Sequence, residues 1–194
     1  MSKIKVAVFA SGGGTNAEEF LKYFKSHNQI EIFCICSNNS KAYALTRATN
    51  WGKETLTFKY DEFIKSEKVI NYLESNSIDF IVLAGFMWLL PFSIIEKFPE
   101  RIINIHPALL PKYGGKGMYG HHVHNAVIEA GEQKSGITIH IVNEAYDEGK
   151  ILFQVSVKID NNEDAKSLAN KIHSLEYKHY PQVAEKVILS KGKR

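Results

Sequence analysis

Asn104 and His106 stand two positions apart at the end of the apolar run Arg101-Ile102-Ile103-Asn104-Ile105, and Pro107 follows at once. Alternate residues of an extended strand share a face, so an amide and an imidazole point at one spot. Pro107 stops the strand and Pro111 stiffens the loop beyond it. The two side chains therefore sit on a rigid rim, where an open α/β sheet takes its ligands. An imidazole has a reference pKa of only about 6.5, and a carboxylate a few ångströms away raises it. Asp147, in the loop Asn143-Glu144-Ala145-Tyr146-Asp147-Glu148-Gly149, could supply that carboxylate. Alone it reads as a solvated turn residue; beside His106 it would hold the ring in its charged form.

Ser11-Gly12-Gly13-Gly14-Thr15-Asn16 offers a second kind of chemistry. Three glycines let the backbone expose several N–H groups, and a helix starting there adds roughly +0.5 of a charge, which suits a phosphate. A plain tight turn is the other reading. Gly12, Gly14 and Ala17 also match the dinucleotide pattern G-x-G-x-x-A. A nicotinamide enzyme of that kind needs an acid about twenty residues on, near the end of the second strand. The chain has Ser37-Asn38-Asn39-Ser40 there, which argues against that class.

The elements that must position these groups alternate in type. Apolar runs predict strands over 3–10, 30–37, 54–58, 80–84 and 102–105, with amphipathic helices over 17–27, 41–51, 61–75 and 91–98 between them. A helix over 122–130 and two alternating strands, 135–142 and 151–159, follow, and a final helix runs from 164 to 189 with a kink or break expected near Pro181. The fold class is α/β: a doubly wound, Rossmann-like, mostly parallel sheet with helices on both faces and an antiparallel addition near the C-terminus.

Composition sets outer limits. With 194 residues, 44% of them hydrophobic, and no linker-like run, the expectation is a single domain over 1–194. Cys34 and Cys36 lie two apart on an apolar strand, poorly placed to bridge, and read as buried reduced thiols. The chain passes from Met1-Ser2-Lys3 straight into a strand and has no apolar stretch long enough for a bilayer, so a cytoplasmic protein without a membrane partner is expected. Its charge of +3 is mild and lies largely in Lys191-Gly192-Lys193-Arg194, so no nucleic-acid partner is expected.

Taken together, Gly12 to Asn16, Leu83-Ala84-Gly85-Phe86-Met87, Asn104-Ile105-His106-Pro107-Ala108-Leu109-Leu110-Pro111-Lys112, Ser135-Gly136-Ile137-Thr138-Ile139-His140 and Asp147-Glu148-Gly149 resemble the phosphoribosylglycinamide formyltransferases. The likeness runs from about Lys3 to the final helix. The segment around Asn104 and His106 marks the wider family of formyl-tetrahydrofolate transferases, and the glycine loop and final helix narrow it to the nucleotide-using branch.

The resemblance implies transfer of the formyl group of 10-formyltetrahydrofolate, a co-substrate, to the primary amine of glycinamide ribonucleotide through a tetrahedral intermediate. It implies that Asn104 and protonated His106 donate to the oxyanion, and that Asp147 keeps His106 charged and helps move a proton from the amine toward the departing folate nitrogen. Neither a covalent enzyme intermediate nor a metal is implied. Gly14, Thr15 and Asn16 would hold the ribonucleotide, and Glu176 would accept from its ribose hydroxyls, although as a helix position alone it reads as exposed. Met87, Trp88, Leu89 and Leu90, with Asn104 and the loop residues Asn143, Glu144, Ala145, Tyr146 and Asp147, would form the folate slot; Leu89 at least is also expected to pack in the core. Partners would be small-molecule substrates, and the assembly a monomer or homodimer.

Some residues depart from the pattern. Where better-known members carry an arginine toward the folate tail, this chain reads Phe58-Lys59-Tyr60-Asp61. The segment 116–124 is longer than in some relatives, and its His121-His122-Val123-His124 invites a metal reading. The spacing is not that of a helical metal site, so solvated or substrate-facing histidines are expected, with His140 and His173 structural or one layer behind. The rivals are formyl transfer to another amine, such as an initiator tRNA or a sugar nucleotide, formyl hydrolysis, and a non-catalytic phospho-ligand or folate binder. The tRNA enzyme and the hydrolase carry extra domains for which 194 residues leave no room, and Asn104, His106 and Asp147 occurring together argue against the non-catalytic binder.

Overall fold

The first strand, β1 (Ile4–Phe9), is apolar at almost every position because both of its faces are covered. Val6 and Val8 enter one core cluster with Phe20, Ile35 and Ile103, while Ala7 and Phe9 enter a second with Phe63, Leu73 and Ile94. The computed structural model describes residues 2–194. Its strands are β1, β2 (Ile30–Ser37), β3 (Glu54–Thr57), β4 (Phe80–Leu83), β5 (Ile102–His106), β6 (Lys134–Ile141) and β7 (Ile151–Lys158). They form one sheet in the order β3-β2-β1-β4-β5-β6-β7. Pairings from β3 through β5 are parallel, and β5–β6 and β6–β7 are antiparallel. Strand order reverses between β1 and β4, so a crevice opens beyond their carboxyl ends, the usual ligand position in such sheets.

One face is covered by α1 (Thr15–Tyr23), α2 (Tyr43–Asn50), α6 (His121–Glu129) and α7 (Ala165–Lys191), and the other by α3 (Tyr60–Ile64), α4 (Lys68–Ser75) and α5 (Phe92–Lys97). The α/β class, the parallel body and the antiparallel addition agree with the sequence reading, with strand ends shifted by a residue or two.

Three helices differ from it, the first only in its bounds, since α1 ends at Tyr23 rather than at 27. The stretch 61–75 is split into α3 and α4 because Ser66 intervenes: its hydroxyl donates to the Glu62 carbonyl at 2.7 Å and accepts from Lys68 N at 3.3 Å. A serine that satisfies the backbone in this way offers an alternative to continuing the helix. In α7 the reverse happens, and the helix runs through Pro181 without a break. Tyr180, Pro181 and Ala184 are all buried there, and the Tyr180 hydroxyl reaches the Leu83 and Ile103 carbonyls at 2.9 and 3.1 Å, so packing on the sheet outweighs the missing N–H. Cys34 and Cys36 are free and buried, with Sγ atoms 3.7 Å apart.

Candidate active site

On β5 the parity that sends Ile103 and Ile105 into the α1–α7 core sends Ile102, Asn104 and His106 to the opposite face. Ile102 is covered by α5, whereas Asn104 and His106 extend beyond that cover into a cavity of about 530 Å³. The loop that follows is pinned from β6, where the Thr138 hydroxyl donates to the Ala108 carbonyl at 2.7 Å and accepts from Leu110 N at 3.0 Å. Gln154 on β7 holds the Leu110 carbonyl at 2.9 Å.

Asp147 arrives from the β6–β7 loop with a left-handed backbone, φ 57°, a conformation that aspartate tolerates better than most residues. One carboxylate oxygen lies 3.4 Å from His106 Nδ1 and accepts from Gly115 N at 3.0 Å. The other accepts from Asn104 Nδ2 at 3.3 Å and lies 3.5 Å from His140 Nε2. Burial pushes the Asp147 pKa up, but the contacts from His140, His106 and Gly115 more than offset it, and the carboxyl lies below its ordinary value. It is ionised at neutral pH.

His106 is only 3% exposed. Its Nε2 meets the Tyr113 carbonyl at 2.7 Å, and because a carbonyl can only accept, Nε2 carries a hydrogen and Nδ1 is the nitrogen facing Asp147. The charge on the ring is set by opposed influences. Burial is the largest influence on the ring and, with the nearby His140, outweighs Asp147 and the Tyr113 carbonyl, so its pKa falls below the ordinary histidine value.

His140 does more than structural packing. It is the direct cross-strand partner of Asn104 in the β5–β6 ladder. Its Nδ1 donates to the Ile141 carbonyl at 2.9 Å, and its Nε2 lies 3.2 Å from Asn104 Nδ2. One histidine thus orients the amide and flanks the carboxylate.

At the other end of the cavity are Gly12, Gly13, Gly14, Thr15 and Asn16. Gly14, φ 68°, is the N-cap of α1, and a Cβ there would come within 2.5 Å of the Ala44 Cβ, so both conformation and space require glycine. The loop is tied down by Ala44 N on the Gly12 carbonyl at 3.1 Å and Arg47 Nε on the Gly13 carbonyl at 2.9 Å. The first N–H groups of α1 are left for an anion.

Glu176 on α7 is buried rather than exposed, and its carboxylate accepts from Asn16 Nδ2 at 2.8 Å. Burial raises its pKa to about 7 despite that hydrogen bond. The folded chain therefore keeps a proton that an unfolded chain releases around 4.5, and this group's contribution to stability falls as pH rises from about 4.5 through about 7. Glu176→Gln should leave the melting temperature near wild type at pH 4 and raise it at pH 8, a difference that thermal unfolding at the two pH values will read.

Met87, Trp88, Leu89 and Leu90 line the cavity with Ala145, Tyr146 and Asp147. Asn143 and Glu144 do not: Asn143 turns its amide oxygen back onto Ala145 N at 3.2 Å, and Glu144 faces a neighbouring surface depression with Tyr60 and Phe92. Leu90, not Leu89, is the residue buried in the core, because Leu89 stays half-buried between cavity and depression. The histidine run divides as well. His121 and His122 are exposed with their rings 4.0 Å apart, while His124 is 4% exposed and lines the cavity beside His173, with a buried Nδ1 that has no partner among the described residues. Lys59, at the N-cap of α3, does not line the cavity.

A sequence profile described as formyl transferase matches residues 4–184. The chain is 37% identical to a chloroplastic phosphoribosylglycinamide formyltransferase of Arabidopsis thaliana over 92% of its own length, and spans 63% of that relative. It is 35% identical to the phosphoribosylglycinamide formyltransferase of Haemophilus influenzae, with 92% of this chain and 84% of that one covered. The crystal structure of a phosphoribosylglycinamide formyltransferase from Anaplasma phagocytophilum superposes with a TM-score of 0.85 at 32% identity, covering 95% of this chain and 88% of that one.

Proposed function

On the footing that this chain belongs to the formyl transferase family, we propose that it moves a formyl group from 10-formyltetrahydrofolate to the primary amine of 5'-phosphoribosylglycinamide. The products are the formylated ribonucleotide and tetrahydrofolate, a step of purine synthesis. The observation that carries this reading is one cavity with a glycine loop and a buried acid at one end, an apolar strip at the other, and Asn104, His106 and Asp147 between them.

The ribonucleotide phosphate lies on the N–H groups of Gly14, Thr15 and Asn16, with its ribose hydroxyls donating to Glu176. The pterin lies along Met87, Trp88, Leu89 and Leu90 under Ala145 and Tyr146. A volume of about 530 Å³ is within the usual range for enclosed small ligands. The two substrates meet at the formyl carbon. The amine nitrogen attacks that carbon, the carbonyl electron pair moves onto its oxygen, and a C–N bond to the folate breaks as the intermediate collapses.

Asn104 Nδ2 has only long contacts, 3.2 and 3.3 Å, which a charged oxygen can displace. Negative charge growing on that oxygen is stabilised by a charged His106 ring, whose Nδ1 lies 3.4 Å from the Asp147 carboxylate. Asp147, ionised at rest, takes the amine proton through a water and passes it toward the leaving folate nitrogen. Purified protein given both substrates should yield formylated ribonucleotide and tetrahydrofolate. Formate release that does not depend on the amine identifies a hydrolase instead, and no consumption of the formyl donor overturns the reading.

A further inference from the structure

Tyr113 and Gly115 carry no role in the reaction described above, yet their main chain touches both titratable members of the site. The Tyr113 carbonyl accepts from His106 Nε2 at 2.7 Å, and Gly115 N donates to Asp147 Oδ2 at 3.0 Å. Between them Gly114 is packed so tightly that a Cβ would lie 2.6 Å from Leu110 Cδ2 and 3.3 Å from the Asp147 Cβ. Tyr113 itself is left-handed, φ 57°, a conformation that a bulky side chain keeps only when its surroundings impose it. The tether is at the far end of the side chain. Its hydroxyl donates to Glu132 Oε1 at 2.9 Å, the oxygen that also accepts from Lys112 Nζ at 2.7 Å.

We propose that Tyr113 is a positioning residue for formyl transfer: anchored at Glu132, its backbone aims the carbonyl that keeps a hydrogen on His106 Nε2 and leaves Nδ1 as the nitrogen that titrates. The catalytic half of this statement rests on the formyltransferase reading; the tautomer half does not. Without the carbonyl, a neutral His106 gains most by placing its hydrogen on Nδ1 and donating to Asp147, 3.4 Å away. The bare nitrogen would then be Nε2, on the side away from that carboxylate. The other titratable groups near the ring are His140 on β6 and His124 on α6, and neither makes a hydrogen bond to it.

The test is nitrogen NMR of the full chain with ¹⁵N-labelled histidine, on wild type and on Tyr113→Phe and Glu132→Ala, with thermal unfolding to confirm that each variant is folded. Wild-type His106 should hold its hydrogen on Nε2 and titrate at Nδ1. Both variants should show Nδ1–H signal and lose about fivefold in kcat, the scale of one hydrogen bond, with KM for the ribonucleotide unchanged. An Nδ1–H wild-type ring, or variants whose tautomer and kcat both match wild type, would overturn the proposal. A tautomer that shifts in a protein transferring no formyl group overturns the functional reading and leaves the positioning role standing.

Discussion

Asp147→Asn should slow formyl transfer by about 10²–10³-fold, the usual scale for losing a charged group that acts only as the transition state forms, while leaving ribonucleotide affinity close to wild type. The substitution keeps the shape of the side chain. An amide oxygen can still accept from Gly115 N, which lies 3.0 Å from Asp147 Oδ2. The charge is what disappears. Asp147 is the leading influence that raises the proton affinity of His106 against burial, so without it the ring titrates lower still. Because the charged ring is the form that stabilises the oxyanion, the alkaline limb of the kcat profile should move to lower pH as the whole profile falls in height. Glycinamide ribonucleotide binding, read by calorimetry without folate, should hardly change, because the positions proposed for its phosphate and ribose, at Gly14 to Asn16 and Glu176, are contributed by other elements lining the cavity. A variant with the wild-type pH profile and rate would remove Asp147 from the chemistry.

How much of this site could be read in the amino-acid order depends on what holds each piece. Asn104 and His106 were legible because strand alternation and Pro107 are local facts, and β5 indeed ends at His106. Gly14 was legible for the same reason, since three glycines between a strand and a helix signal an unusual backbone. Glu176 left a signal that the sequence reading passed over. Leu168, Ile172, Glu176, Tyr180, Ala184 and Ile188 recur every fourth residue and are all buried, so an acid in that apolar row had to face inward. His140 needed the β5–β6 register, which places it opposite Asn104 and is set by pairing across a long connection rather than by neighbours. The Tyr113 carbonyl had no signature at all, because a main-chain acceptor is common to every residue. The burial of His106 had no signature either: the carboxylate that raises its proton affinity was visible in the sequence, but the depth of cover that lowers it was not.

The same dependence on backbone gives the β6–β7 loop its most sensitive position. Gly149→Ala should lower stability by about 1–3 kcal/mol and cut kcat by roughly 10²-fold in the protein that remains folded. Gly149 has no left-handed φ to protect; the constraint is space. A Cβ built there falls 1.6 Å from the Ile141 carbonyl oxygen and 2.8 Å from its carbon, which are backbone atoms of a paired strand and cannot swing aside. That oxygen also accepts from His140 Nδ1 at 2.9 Å, and Asp147 lies two residues before Gly149 on the same loop. Relieving the clash must therefore displace His140, Asp147 or both. Gly131→Ala separates strain from position, because Gly131 has φ 65° with nothing within 4 Å of a Cβ and lies in the turn between α6 and β6. It should cost about 1 kcal/mol in stability and leave kcat untouched. Thermal unfolding and kcat measured on both variants decide the matter, and a Gly149→Ala protein with wild-type turnover would mean that the loop carrying Asp147 need not be held as rigidly as these contacts require.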